Sequence, residues 1–337
     1  MPANLPPQYQ KAEREFRRAQ TSADQEACLI NLLQLLPRHK GTEKLQADLR
    51  TRLKEVRIRK QLDAALSAKT HSFARFPRQG AARIVIIGPP NSGKSRILRE
   101  LTRATPEVSP WPFTTRDASP GMMIRHHVAV QLIDTPPIAA DHPEPWLLNL
   151  IRTADLVLLA VRGSDDDAVP ETMRVLQELS LRKTTLGTEN GFDESDFSIL
   201  HLKSRILVTE SKAAECELRI EMLGDLLRND PDSFALWPSL LRVELDDPKS
   251  VNELGDTLYS LLNIIRVYTR RPGSRETDSD PVTIPVGGTV EDLALELHEE
   301  LFDRVTHARV WRAGGQDGQT VGRTFSLQDE DIVELHC

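Results

Sequence analysis

The segment Gly88-Pro-Pro-Asn91-Ser92-Gly93-Lys94-Ser95 satisfies the spacing G-x-x-x-x-G-K-[ST], a pattern whose chemistry is phosphate binding. Gly93 lets backbone N–H groups approach phosphate oxygens at a helix N-terminus, where partial positive charge adds attraction. The Lys94 ammonium suits β- and γ-phosphate oxygens, and the Ser95 hydroxyl suits Mg²⁺. Other chemistry-bearing residues carry no comparable spacing. His126-His127 has no metal-ligand pattern around it and reads as a strand or hairpin position, while Met122-Met123 reads as core or loop filling. Cys28, Cys216 and Cys337 are scattered without a C-x-x-C pair, so they give neither a disulfide frame nor a zinc site, and a reducing, cytoplasmic setting is expected.

A phosphate loop works only between a strand and a helix, and the flanking residues supply both. Ile84-Val85-Ile86-Ile87 is a short β-branched run ending at Gly88, and a helical stretch follows over 95–102. Similar apolar runs recur at 128–133, 156–161 and 206–208, separated by helical stretches near 144–153, 170–181 and 215–227. This alternation predicts an α/β fold with a mostly parallel sheet over residues 83–269. Residues 182–204 are polar and carry two glycines, and an inserted surface loop is expected there.

Residues 1–70 predict a helical arm ended in part by Pro37, and 71–82 a linker. A second linker, 270–280, precedes a small unit, 281–337. There Thr289 with Asp292 three residues on marks a helix start among three strand-like runs, a β-grasp pattern.

The 337 residues, 39% apolar and 28% charged, suit a globular protein of two or three domains and exclude a collagenous, disordered or membrane chain. No apolar run reaches the roughly 20 residues a membrane helix needs, and the first residues lack the basic and apolar regions of a signal peptide. Net charge is −7, yet residues 1–80 hold 16 Lys/Arg against 8 Asp/Glu, which leaves −15 for the remainder. A basic arm suits an anionic partner or a solvated helical surface. Residues 280–337 hold 4 Arg and 12 acids, so generic RNA-backbone binding belongs to the arm, centred on 38–60, and a protein partner suits the acidic unit.

The loop 90–95, the run Trp111-Pro-Phe-Thr114-Thr115 and the run Val130-Gln-Leu-Ile-Asp134-Thr-Pro136 together resemble the Obg-like P-loop GTPases. The tail, with Ile264-Ile-Arg266-Val-Tyr268-Thr, Ala308-Arg-Val-Trp311 and Leu327-Gln-Asp329-Glu330-Asp331, is similar to the developmentally regulated GTP-binding (DRG) branch and its C-terminal TGS domain. The resemblance implies GTP and GDP as ligands. It also implies Mg²⁺ held by Ser95, Asp134 and either Thr114 or Thr115, a potassium position at Asn91, and action around ribosomes. Ile138 falls where the family carries a hydrophobic residue instead of a water-orienting glutamine, which implies slow hydrolysis.

Three positions depart from the family. Pro137 replaces the glycine of D-x-x-G and has no N–H to offer a γ-phosphate. Ser211-Lys212-Ala213-Ala214 stands where N-K-x-D reads guanine, keeping only Lys212, and Glu244-Leu245 stands near the usual Ser-Ala loop. The sequence therefore carries three expectations: a slow Mg²⁺-dependent GTPase, a non-hydrolysing scaffold of the same fold, or a phosphate-loop protein with relaxed base choice.

Overall fold

The computed structural model describes residues 22–36, 76–102, 118–138, 145–193, 195–230, 236, 240–273, 277–312 and 318–337, together with scattered positions between 12 and 56. Among these, an eight-stranded sheet forms the centre of the chain and a five-stranded sheet its C-terminal part. The central order is β2-β3-β1-β4-β7-β5, with β6 and β8 also paired to β7. Its strands are β1 (Ala82–Ile87), β2 (Ser119–Arg125), β3 (Val128–Asp134), β4 (Leu156–Arg162), β5 (Thr184–Gly187), β6 (Gly191–Phe192), β7 (Leu200–Thr209) and β8 (Leu240–Val243). β1, β3, β4, β7 and β8 run parallel, which aligns their C-terminal ends along one edge.

The apolar runs follow from burial on both sheet faces. Along β1, Val85 and Ile87 enter one core while Ile84 and Ile86 enter the other; along β4, Val157 and Leu159 oppose Leu156 and Leu158 in the same way. The first core is closed by the helices Pro145–Arg152, Ala168–Ser180 and Cys216–Asn229, numbered α3, α4 and α5. Ile97 and Leu101 of the phosphate-loop helix Lys94–Thr102, α2, close the second, with Val251, Leu254 and Leu258 of Pro248–Leu261, α6.

The structure corrects the expected loop at 182–204. It holds β5, β6 and the first half of β7, with Thr184 to Gly187 paired in parallel register to Leu200 to Lys203. Leu200, Leu202 and Ser204 are buried and alternate with the partly exposed His201 and Lys203, a half-buried strand pattern that the segment's polar composition hides. β2 also goes beyond the sequence reading. It pairs antiparallel with β3 through a turn at His126-His127, both in the left-handed region, at φ 50° and 65°. Its Met123 is fully buried, so that residue is core.

In the N-terminal segment, helix Ser22–Leu35, α1, stops before Pro37 as its sequence predicts. Its Leu29 and Leu32 pack with Leu36, Leu49 and Val56, and Phe197 of the 182–204 segment packs against the same cluster. The Arg52 guanidinium lies 3.9 Å from the centre of the Phe197 ring.

The terminal sheet has the order β10-β9-β13-β11-β12, built from Ile264–Thr269 (β9), Val282–Pro285 (β10), His307–Trp311 (β11), Gln319–Gly322 (β12) and Asp331–His336 (β13). Helix Val290–Leu297, α7, begins in the expected capping box, with the Asp292 carboxylate accepting from the Thr289 N–H at 2.8 Å. A short helix, Glu299–Arg304 (α8), follows it. The fully buried Asp331 carboxylate accepts from Arg312 at 2.8 and 2.6 Å.

Candidate nucleotide site

β1 delivers the chain to Gly88 with φ 148°, and a Cβ there would stand 2.6 Å from the Ala160 carbonyl oxygen, so glycine is required by both torsion and space. Gly93, at φ 90°, passes close to Thr209 at the end of β7. Between them Asn91 is exposed and left-handed, at φ 56°, while Ser92 is buried. The loop thus wraps the start of α2 with its backbone.

Lys94 is buried and donates to the carbonyls of Gly88 at 3.1 Å and Pro89 at 2.6 Å and to Ser92 Oγ at 3.2 Å. Burial holds its pKa down to about 8, against partial support from Asp134 and Glu171. The ammonium sits inside the loop, where phosphate oxygens can replace the carbonyls as its acceptors.

The parallel register of β1 with β3 sets Ile86 opposite Asp134, and that pairing brings Asp134 to Ser95. Ser95 Oγ donates to Asp134 Oδ2 at 2.5 Å. Burial raises the Asp134 pKa, with the Ser95 bond and the Lys94 charge opposing the shift. The other oxygen, Oδ1, is buried and accepts no hydrogen bond among the described residues. A hydroxyl and a carboxylate with an unspent oxygen are a hard donor set that fits Mg²⁺.

Beyond Asp134 the chain turns away from the loop. Thr135 donates from Oγ to the Ile86 carbonyl at 2.8 Å, Pro137 is exposed, and Ile138 is buried in the first core. Ile138 therefore offers the loop no polar group. Thr114 and Thr115 lie outside the described residues.

The turn after β7 adjoins the loop through Thr209, whose hydroxyl is 3.5 Å from the Ser92 carbonyl. Ser211 Oγ and the Lys212 N–H both donate to Glu244 Oε1, at 2.7 and 2.8 Å. The Lys212 side chain is exposed. Ala214 offers no carboxylate, and its carbonyl accepts from Arg219. Glu210 accepts from Arg162 at 3.0 Å and from Ser164, which keeps its carboxyl below the ordinary range. Asp246, two residues past Glu244, pairs with Arg96 of α2 and ties the β8–α6 loop to the phosphate helix. Neither this tie nor the Glu244 contacts has a local sequence signal, because each joins residues far apart in the chain.

Residues 83–189 match a family described as 50S ribosome-binding GTPases, and residues 265–337 match the TGS domain. A developmentally-regulated GTP-binding protein 2 homolog of Dictyostelium discoideum is 24% identical over 88% of this chain and 94% of its own length. Developmentally-regulated GTP-binding protein 2 of Mus musculus is 22% identical over 77% of this chain and 83% of its own. Among solved structures, the Schizosaccharomyces pombe YchF GTPase superposes with a TM-score of 0.51 at 13% identity, covering 79% of this chain and 100% of that one. That last match speaks for the fold alone. Residues 83–189 thus carry a GTPase-family match and residues 265–337 a TGS-domain match, and the chain is similar over most of its length to the developmentally-regulated GTP-binding proteins.

Proposed function

We propose that the chain binds GTP and GDP with Mg²⁺ at the 88–95 loop and hydrolyses GTP slowly. The observation that carries this reading is the meeting of Lys94, Ser95 and Asp134 at one edge of the sheet, with the Asp134 Oδ1 oxygen unspent. Ser95 and Asp134 hold the metal in this reading, which when bound neutralises charge on the phosphate oxygens. Lys94 and the loop N–H groups orient the phosphates. Slow turnover is supported by Ile138, which packs into the core and leaves no side chain to place a water, and by Pro137, which has no N–H for the γ-phosphate.

The positive balance of residues 1–80 and the description of the matched family support a ribosomal RNA contact made by the N-terminal arm. Pro137 also favours a second reading, a binding protein that occupies the nucleotide without turnover. Titration of Mg²⁺-GTP and Mg²⁺-GDP against wild type and Lys94→Ala tests the site. Wild type binds both and Lys94→Ala weakens GTP by roughly a hundredfold or more, the scale of a buried charge-assisted contact; wild type that binds neither at millimolar concentration overturns the reading. Single-turnover release of phosphate separates the slow enzyme from the silent binder.

A further inference from the structure

In the turn after β7 Ala214 carries no acid, and the acids at its two ends are taken up elsewhere, Glu210 by Arg162 and Ser164 and Glu215 by Arg219; the β8–α6 loop supplies a further one. Glu244 follows β8 directly, and the register Thr209↔Val243 sets it beside the start of that turn. Two ties place it along the same strand-end crevice as the phosphate loop: Thr209 against Ser92, and Asp246 paired with Arg96 of α2. Ligands of open α/β sheets bind outside the carboxyl ends of the strands, in that crevice.

Glu244 is held rather than free to swing. Its own N–H donates to Ser250 Oγ at 3.0 Å, and Oε1 accepts from both Ser211 Oγ and the Lys212 N–H. The side chain is half-buried, and Oε2 accepts nothing among the described residues. The carboxylate thus has one oxygen committed to its own fold and one left as a bare acceptor beside the exposed Lys212.

We propose that Glu244 is the specificity-determining residue for the base, with Oε2 accepting from the adjacent ring N–H and exocyclic amine of guanine. This rests on the nucleotide reading of the 88–95 loop. Guanine presents those two donors side by side, whereas adenine places a ring nitrogen lone pair next to its single amine, which a carboxylate repels. Xanthine carries a carbonyl in place of the guanine amine and is repelled likewise.

The internal bonds make the test directional. In Glu244→Gln the amide oxygen keeps the Ser211 and Lys212 bonds, so the NH₂ faces outward where Oε2 stood and an acceptor becomes a donor. Wild type, Glu244→Gln and Glu244→Ala are titrated with the Mg²⁺ complexes of GTP, ITP, XTP and ATP, with inorganic tripolyphosphate as a competitor that has no base. Wild type prefers GTP to XTP by about tenfold or more, the scale of a charged hydrogen bond. Glu244→Gln lowers the GTP-to-XTP ratio by at least about tenfold, Glu244→Ala loses the GTP preference without gaining XTP, and tripolyphosphate competes equally in all three. An unchanged GTP-to-XTP ratio in Glu244→Gln overturns the proposal, as does a wild type indifferent to the base. Wild type that binds no nucleotide overturns the phosphate-loop reading and this one with it.

Discussion

Around the phosphate loop the geometry rests largely on backbone: Lys94 reaches the carbonyls of Gly88 and Pro89 as well as Ser92 Oγ, the loop's shape rests on glycine torsions, and Ser95 adds a contact to the distant Asp134 side chain. Around the turn after β7 they run largely through side chains, from Ser211 to Glu244 and from Arg162 to Glu210. Every chain has the same backbone groups, so a site made from them depends on a few fixed residue types at fixed spacing. A site made of side chains from separate loops can exchange one partner for another and keep its geometry. In the proposed nucleotide reading, the 88–95 loop keeps the residues of the G-x-x-x-x-G-K-[ST] pattern, while the turn after β7 has Ser211 and Ala214 in place of the asparagine and aspartate of N-K-x-D, with Glu244 as the proposed substitute.

Breaking the backbone side should have the largest effect. Gly88→Ala puts a Cβ against the Ala160 carbonyl in a torsion that L residues rarely adopt, so it should abolish nucleotide binding in calorimetry and cost about 2 kcal/mol or more of stability in denaturant unfolding. If Gly88→Ala binds as wild type does, the loop is not the phosphate cradle. A smaller effect tests the departure at the end of β3. Pro137→Gly restores an N–H, and the ratio of GTP to GDP affinity should rise about tenfold by one charge-assisted hydrogen bond. An unchanged ratio would show that this segment lies away from the γ-phosphate.

The mildest test uses pH. The Lys94 pKa lies at about 8 before binding, lowered from 10.5, and phosphate needs the charged form. Affinity should therefore be full below pH 8 and fall as pH rises through it, by about eightfold between pH 7.5 and 9, with the proton taken up on binding. Lys94→Arg, which does not titrate there, should bind with a flat profile. A flat profile in wild type would place the ammonium in a more exposed setting.

How much of this is legible in the sequence follows the same division. The phosphate loop, β1, β4 and the Thr289–Asp292 cap depend on local spacing and periodicity, and each is readable from a short window. β2 is not, because Ser119-Pro-Gly reads as a turn; at a sheet edge, however, Pro120 is tolerated and Gly121 lets α2 approach, with Thr102 against it. β8 is four residues long and β6 two, too short for a period to show. Glu244 reads as the loss of a Ser-Ala loop, since its bonds to Ser211 and Lys212 span more than 30 positions and no spacing rule covers them.

The packing of Phe197 against the N-terminal leucines, with Arg52 across its ring, has a consequence for how the arm can be studied. The arm and the β5–β7 segment share one apolar cluster, so cutting away the first 80 residues uncovers an aromatic ring and unbalances the domain left behind. Any partner lost with such a truncation could have been lost to misfolding. Neutralising the exposed Arg50 and Lys54 leaves the shared cluster whole and removes only charge, which makes recognition by the arm separable from its role as a structural brace.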